Sequence, residues 1–350
     1  MTKVCFKVEE RFLKNKIFLP YSGDPNCWDW NVPFYLKNIF EKNNYQISTQ
    51  DIINEEEADI IIYNYYPKKI KRVKKLTVLI AMESVAVEKK LSSKDYLKQF
   101  DLVFTCNDMF VNNKSIFKIN FSFNKDVINI EFPVKEKFLS CFCANKLSNH
   151  PLELYTERVK AIEYFTNSDS EFELYGSGWD NAYHFPKKYN FFRLLNKSKP
   201  LRGISKILKF ILQLNPILKN LFFKKYQSYR GYVSNKFDEL KKFKFSICYE
   251  NLLNSEGYIT EKIFDCLKYG VIPIYLGAQN INRYIPSDIY IDKSLYESYS
   301  DLEDFLINLS NKEYKGYLKR IRDFLQGEKI NRFTDEYNAN MIFNKIKTKI

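Results

Sequence analysis

The chain of 350 residues is 45% hydrophobic and 17% aromatic, enough apolar material for two domains of ordinary size and far from the composition of a disordered chain. No apolar run reaches the roughly 20 residues needed to cross a bilayer, and residues 1–10 alternate like a strand where a signal peptide would carry an apolar block. A cytoplasmic location, at most peripheral on the inner face of the membrane, is therefore expected, and the net charge of +13 raises the question of a polyanionic partner.

In chain order, residues 4–8 read as a strand, and 30–44 as a helix with Phe34, Leu36, Ile39 and Phe40 inward. Residues 45–47 offer a short strand. Residues 58–63, 76–81 and 102–105 are short apolar runs of the buried-strand type, separated by charged stretches of helical length. A second series starts near 137, with a strand at 138–142, a helix holding 158–165 and a strand at 172–175. It resumes with a strand at 243–249, a helix at 260–268 and a strand at 272–276. From 302 to 350 the chain reads as helical, with Leu302, Phe305, Leu306 and Leu309 on one face, and is expected to pack back across both units. Strands alternating with helices in two series predict an α/β protein of two lobes, at 1–136 and 137–325, followed by a helical tail at 326–350.

The positive charge is concentrated. Residues 181–237 hold 13 Lys or Arg and no Asp or Glu, which accounts for the whole excess of 55 basic over 42 acidic residues. Within them Ile204, Ile207, Leu208, Ile211, Leu218, Leu221 and Phe222 recur at helical spacing around Pro216, predicting two short amphipathic helices broken by the proline. Such a basic segment suits an anionic membrane surface, an insertion packed on the protein's own body, or nucleic acid. The long apolar face places the membrane surface first for residues 187–230 and nucleic acid last, so no nucleic-acid partner is expected.

Seven cysteines without Cys-x-x-Cys spacing, and two histidines outside any ligand-like pattern, predict buried thiols and no metal site. Gly-x-Gly-x-x-Gly, Gly-x-x-x-x-Gly-Lys-Ser/Thr, His-Glu-x-x-His and Gly-x-Ser-x-Gly are all missing, which disfavours dinucleotide oxidoreductases, P-loop nucleotidases, zinc proteases and hydrolases with a nucleophile elbow.

The densest chemistry lies in 243–278. Tyr249, Glu250 and Asn251 end a buried strand, Gly257, Tyr258 and Thr260 lead to a helix N-terminus, and Glu261 and Lys262 occupy its first turn. Ligands of parallel α/β sheets bind at strand carboxyl ends, and a helix N-terminus attracts phosphate through its unpaired N–H groups and dipole. A lysine there opposes the dipole, so an anion bound by Lys262 explains it better than helix stability does. Glu261 is read either as a ligand contact or, with Thr260, as an ordinary helix start.

The run Tyr249-Glu250-Asn251, then 257–263 reading Gly-Tyr-Ile-Thr-Glu-Lys-Ile, then 271–277 reading Val-Ile-Pro-Ile-Tyr-Leu-Gly, resembles the donor-binding signature of the α-1,3/4-fucosyltransferases, glycosyltransferase family 10. Upstream, Phe138-Leu139-Ser140 through Asn145 with Arg158, the turn Tyr175-Gly176-Ser177-Gly178-Trp179, and Ala81-Met82-Glu83-Ser84 at a strand end are similar to other motifs of that family. The resemblance implies a GT-B fold, two Rossmann-like βα lobes facing across a cleft, with GDP-fucose on the second lobe and the acceptor on the first. It implies that Arg158 and Lys262 neutralise the diphosphate, Tyr258 hydrogen-bonds it, Glu261 binds ribose or fucose hydroxyls, Asn251 lines the pocket, and Glu83 is the general base. Glu88 is a competing base.

The implied reaction is an inverting single displacement that moves L-fucose to a hydroxyl, O3 of N-acetylglucosamine, on a bacterial-type and lipid-linked surface glycan. A carboxylate takes the acceptor's proton and fixed cations absorb the charge building on GDP. With no Asp-x-Asp triplet in the chain, no obligatory metal or other cofactor is expected. Transfer of another GDP-deoxysugar, or non-catalytic binding on the same scaffold, stays open at the level of sequence.

Overall fold

The computed structural model describes residues 1–20, 30–68, 70, 75–125, 128, 130–179, 182–183, 203, 207, 223–224 and 226–350. The basic segment 187–230 therefore lies almost wholly outside the described residues, as does Cys27. In the first lobe, β1 (Thr2–Lys7), β2 (Tyr45–Thr49), β3 (Ile60–Tyr63), β4 (Leu76–Ala81), β5 (Leu102–Thr105) and β6 (Ile116–Lys118) form one sheet in the order β2-β1-β3-β4-β5-β6. All its pairings are parallel. Every residue of β3 and β5 is buried, as strands covered on both faces must be, which is why they read as unbroken apolar runs.

The second lobe contains β7 (Lys137–Phe142), α-helical residues Tyr155–Asn167, β8 (Phe172–Tyr175) and a two-stranded antiparallel ribbon of β9 (Ala182–Tyr183) and β10 (Phe223–Lys224). Strands β11 (Phe243–Tyr249), β12 (Ile272–Leu276) and β13 (Ile291–Asp292) complete a parallel sheet ordered β13-β12-β11-β7-β8. Strands β6 and β13, at sheet edges, are too short to have been legible by pattern.

The helices are α1 (Val32–Lys42), α2 (Lys94–Leu97), α3 (Tyr155–Asn167), α4 (Lys236–Leu240), α5 (Glu261–Lys268), α6 (Tyr299–Asn308), α7 (Asn311–Gln326) and α8 (Asp335–Lys347). Pro33 lies in the first turn of α1, where its missing N–H costs nothing, and Val32, Pro33, Leu36 and Phe40 are its buried residues. Phe34 and Ile39, expected inward, are only half-buried at the shoulders of that face. The helices expected between the first lobe's later strands are also reduced. The described residues between β3 and β4 hold none, and β4 to β5 carries only a 3-10 turn at Lys89–Ser92 and the four-residue α2. Pro67 lies in the first of these connections, and the apolar side chains Tyr65, Tyr66, Leu91, Tyr96 and Phe100 cover the sheet from loops, the 3-10 turn and the short α2 instead.

The tail does cross both lobes. Leu302 and Leu306 of α6 and Ile321, Phe324 and Leu325 of α7 join the second core. Helix α8 returns to the first, where Ala339, Ile342 and Ile346 are fully buried and Phe343 meets Phe40 edge-on at 5.1 Å. Each such large side chain contributes about 1.5–3 kcal/mol of burial, so α8 is part of the first lobe's core. Where the chain passes between lobes, Ser122 donates to Asp335 at 2.7 Å and the Asn338 amide donates to the Asn120 carbonyl at 2.8 Å. Among the described residues no helix is long and apolar enough to cross a membrane. The six described cysteines are free thiols, five of them buried.

Candidate active site

Helix α5 is held from beneath. Ile263, Phe264, Cys266 and Leu267 are buried, and Asp265, itself 6% exposed, bridges Lys236 at 2.8 Å and Lys268 at 3.3 Å. The helix stops at Gly270, whose φ of +63° suits glycine, and a Cβ there would stand 2.2 Å from the Phe132 ring. Its N-terminus is thereby fixed beside the carboxyl end of β11.

That N-terminus is organised by a residue the sequence reading did not single out. Glu250 is fully buried, and its carboxylate accepts the Thr260 amide at 2.7 Å, the Thr260 hydroxyl at 2.8 Å and the Lys262 ammonium at 3.3 Å. Thr260, so engaged, gives α5 no side-chain cap, leaving the helix-end amides to a ligand's oxygens. Lys262 also reaches the Thr260 hydroxyl at 2.8 Å and Glu261 at 3.4 Å. Its place in the first turn thus has a cause within the chain: the buried carboxylate of Glu250, besides any anion it binds. Burial raises the Glu250 carboxyl above the usual range, with Lys262 pulling it back. For Lys262 burial opposes the charge, but Glu261 and Glu250 outweigh it and lift the ammonium's pKa above 10.5. A permanently charged lysine with a side chain 20% exposed is the result.

Glu250→Gln should therefore loosen the site from within. The amide cannot accept from all three donors and removes the charge facing Lys262, so a loss of about 1–3 kcal/mol is expected. Differential scanning calorimetry should show a Tm several degrees lower, and an unchanged Tm would refute the tether.

Arg158, on α3 and 5% exposed, braces the same strand end, its Nη2 donating to the carbonyls of Tyr249 at 2.6 Å and Glu250 at 2.7 Å and to Asn251 Oδ1 at 3.0 Å. Asn251 passes the link on, donating from Nδ2 to the Tyr258 hydroxyl at 3.3 Å. Tyr258 is 2% exposed, and its ring belongs to the first lobe's core, edge-on to Phe121 at 5.7 Å. The phenol still has its own proton to donate, near Glu250, Glu83 and Glu261, whose charges add to burial in pushing its pKa up.

Glu83 follows β4 on the opposite lobe. The Tyr66 hydroxyl accepts the amides of Met82 at 3.2 Å and Glu83 at 3.1 Å, which sets the backbone, while the Glu83 side chain stays accessible. Desolvation by the surrounding walls, then the charge of Glu261, raises its carboxyl above the ordinary 4.5, and Lys262 and Lys146 oppose this. Glu83 thus feels the charges of the second lobe's Glu261 and Lys262. Lys146, an exposed residue of the loop after β7, carried no motif and was missed. Glu88, the competing base, is occupied: it accepts from the Lys90 amide at 3.1 Å and pairs with the Lys90 ammonium at 3.4 Å. All six residues singled out from sequence, Glu83, Arg158, Asn251, Tyr258, Glu261 and Lys262, thus converge on one region. Among the described residues no group of His, Cys, Asp and Glu side chains could hold a metal ion.

Two all-parallel α/β lobes with facing strand carboxyl ends, joined by a helix that crosses back, define the GT-B fold of glycosyltransferases. The structure is similar to an α1,3-fucosyltransferase solved with GDP, with a TM-score of 0.53, 15% identity and coverage of 95% of this chain and 92% of that one. It is similar too to an α-glucosyltransferase in complex with UDP, with a TM-score of 0.50, 12% identity and coverage of 99% and 100%. Residues 206–342 match the family model described as glycosyltransferase family 10 (fucosyltransferase), C-terminal, a stretch that includes the motifs at 249–277. Among sequence relatives, the human 4-galactosyl-N-acetylglucosaminide 3-alpha-L-fucosyltransferase 9 is 33% identical over 104 residues, 28% of this chain and 29% of its own length. An Arabidopsis thaliana alpha-(1,4)-fucosyltransferase is 36% identical over 69 residues, 20% of this chain and 17% of its own. The chain thus aligns with under a third of the length of these relatives.

Proposed function

We propose that the protein is an inverting fucosyltransferase that takes L-fucose from GDP-fucose and attaches it to a glycan hydroxyl, O3 of N-acetylglucosamine in a lipid-linked, bacterial-type surface glycan. The observation that carries this reading is the N-terminus of α5, where Lys262 is held on the buried Glu250 carboxylate at the end of β11 that Arg158 braces. The family 10 domain over residues 206–342 and the relatives' printed activities, transfer of fucose to a galactosyl-N-acetylglucosaminide among them, support the choice of sugar and acceptor. A related structure was solved with GDP-fucose.

In the proposed step the acceptor oxygen bonds to the anomeric carbon as the bond from that carbon to the β-phosphate oxygen breaks, and the bonding pair leaves with GDP. The acceptor's proton passes to the Glu83 carboxylate. Lys262, the N-terminus of α5 and the charge of Arg158 stabilise the departing diphosphate, the service a divalent ion performs in metal-dependent transferases. That set of cations supports the expectation of metal-independent transfer.

Thermal-shift titration with GDP-fucose, GDP-mannose, UDP-galactose and CMP-sialic acid, with EDTA present, tests the donor. Selective stabilisation by GDP and GDP-fucose is expected. A preference for another nucleotide sugar would keep the fold and overturn the fucose assignment, and indifference to all four would leave a non-catalytic protein. Transfer to N-acetyllactosamine tests the acceptor.

A further inference from the structure

On the first lobe, Asp108 in the turn after β5 and Lys118 in β6 form an ion pair at 2.8 Å with side chains only 17% and 20% exposed. The pair does not serve its own lobe alone. The Asp108 carboxylate accepts Asn280 Nδ2 at 2.8 Å and the Tyr284 hydroxyl at 2.7 Å, both from the segment after β12, and the Asp108 amide donates to the Glu256 carbonyl at 3.0 Å. Lys118 donates to the Gly257 carbonyl at 2.8 Å and to the Cys106 carbonyl at 2.7 Å, with its ammonium 4.7 Å from the centre of the Tyr284 ring. Asn280 closes the circuit by accepting the Gly257 amide at 2.8 Å.

Both backbone groups of Gly257 are therefore gripped, the carbonyl by Lys118 and the amide by Asn280, both of which also meet Asp108. A side chain fits there only if the clasp gives way: φ is +73°, and a Cβ would lie 2.2 Å from Asp108 Oδ1 and 2.3 Å from Lys118 Nζ. Gly257 immediately precedes Tyr258, whose ring enters the first lobe's core, and stands five residues before Lys262. A buried ion pair is a poor source of net stability compared with apolar packing, whereas one with satisfied, directional bonds to several segments fixes their relative position.

We infer that Asp108 and Lys118 are positioning residues for transfer, clasping the loop 256–262 to the lobe that carries Glu83 and so setting the separation between base and donor groups. The inference rests on the reading of the site as one of GDP-sugar transfer. Neither residue is a contact of the Glu250, Thr260 and Lys262 cluster, so that cluster keeps Lys262 tethered to its own lobe, and available to GDP in the proposed reading, when the clasp is lost.

Three measurements on the full chain with Asp108→Ala test it: hydrogen exchange by mass spectrometry without ligand, GDP titration calorimetry, and kcat with GDP-fucose. Expected are faster exchange confined to segments 105–111 and 254–262, GDP affinity within about threefold of the parent at unchanged stoichiometry, and kcat reduced about tenfold or more, the scale on which misplaced reacting groups lose rate. Gly257→Ala, which forces the clasp apart without removing a charge, should reproduce the pattern. Tyr284→Phe, which deletes one hydrogen bond and keeps the ring beside Lys118, should show it at smaller amplitude if Asp108→Ala does not fold. Unchanged exchange in both segments would overturn the clasp. Parental kcat despite faster exchange, or GDP affinity and stoichiometry falling in step with kcat, would overturn the positioning role. A parent that binds no GDP would instead sink the functional reading, while the exchange data still decide the clasp.

Discussion

Replacing Glu83 with glutamine should lower turnover about 100-fold or more, the usual scale for loss of a general base, while GDP affinity stays within about twofold. The substitution keeps the shape of the side chain, and the backbone there is held independently by the Tyr66 hydroxyl on the amides of Met82 and Glu83. The accessible side chain means that the fold has little to lose. The parent protein should also show the base in its pH profile. A general base works only when deprotonated, so kcat/KM should rise with pH as Glu83 loses its proton. Because desolvation and Glu261 hold that carboxyl above 4.5, the rise should fall at higher pH than for an ordinary carboxylate. Glu261→Gln removes one of the raising charges and should move the limb to lower pH, whereas Glu83→Gln should abolish it. A limb unchanged in Glu83→Gln, with turnover near the parent's, would transfer the role elsewhere. Glu88 is a poor heir, since it is engaged with Lys90.

The strands 76–81, 102–105, 172–175, 243–249 and 272–276 could be read to the residue because burial on both faces leaves them mostly apolar. The first lobe's connections could not. Their aromatic residues cover the sheet from loops, and a loop has no period to detect. The site shows the same division. Lys262 stands out because a positive charge in the first turn of a helix opposes the dipole and demands a reason. Glu250 belongs to the same quoted motif, but it sits at the end of a buried strand, where sequence does not say whether a carboxylate faces the ligand or the protein. Only its three bonds to Thr260 and Lys262 reveal an internal tether. Asp108 and Lys118 were beyond reach for a different reason. Their partners Gly257, Asn280 and Tyr284 lie 139 to 176 residues away along the chain, and nothing local marks either residue as more than a solvated charge.

Lys262→Ala should divide binding from chemistry in the opposite sense to Glu83→Gln. A hydrogen bond from a charged group contributes about 1.5–3 kcal/mol, so GDP affinity should fall about 10- to 150-fold by titration calorimetry. The deletion acts twice, since it removes the cation and leaves the buried Glu250 carboxylate without its ammonium partner, so a lower Tm should accompany the weaker binding. In the parent, burial works against the Lys262 charge, but Glu261 and Glu250 raise its pKa above 10.5. Its contribution to GDP binding should then be flat between about pH 6 and pH 9 and decline only as pH rises beyond the ordinary lysine range. Salt should weaken GDP binding by the parent more steeply than by the variant, because the variant has one fewer charge to screen. The same experiments with EDTA decide what carries the leaving group's charge. Parental transfer in EDTA, with a large loss in Lys262→Ala, leaves it to the lysine and the helix end, whereas transfer abolished by EDTA and restored by magnesium would give that role to a divalent ion and reduce Lys262 to a binding residue.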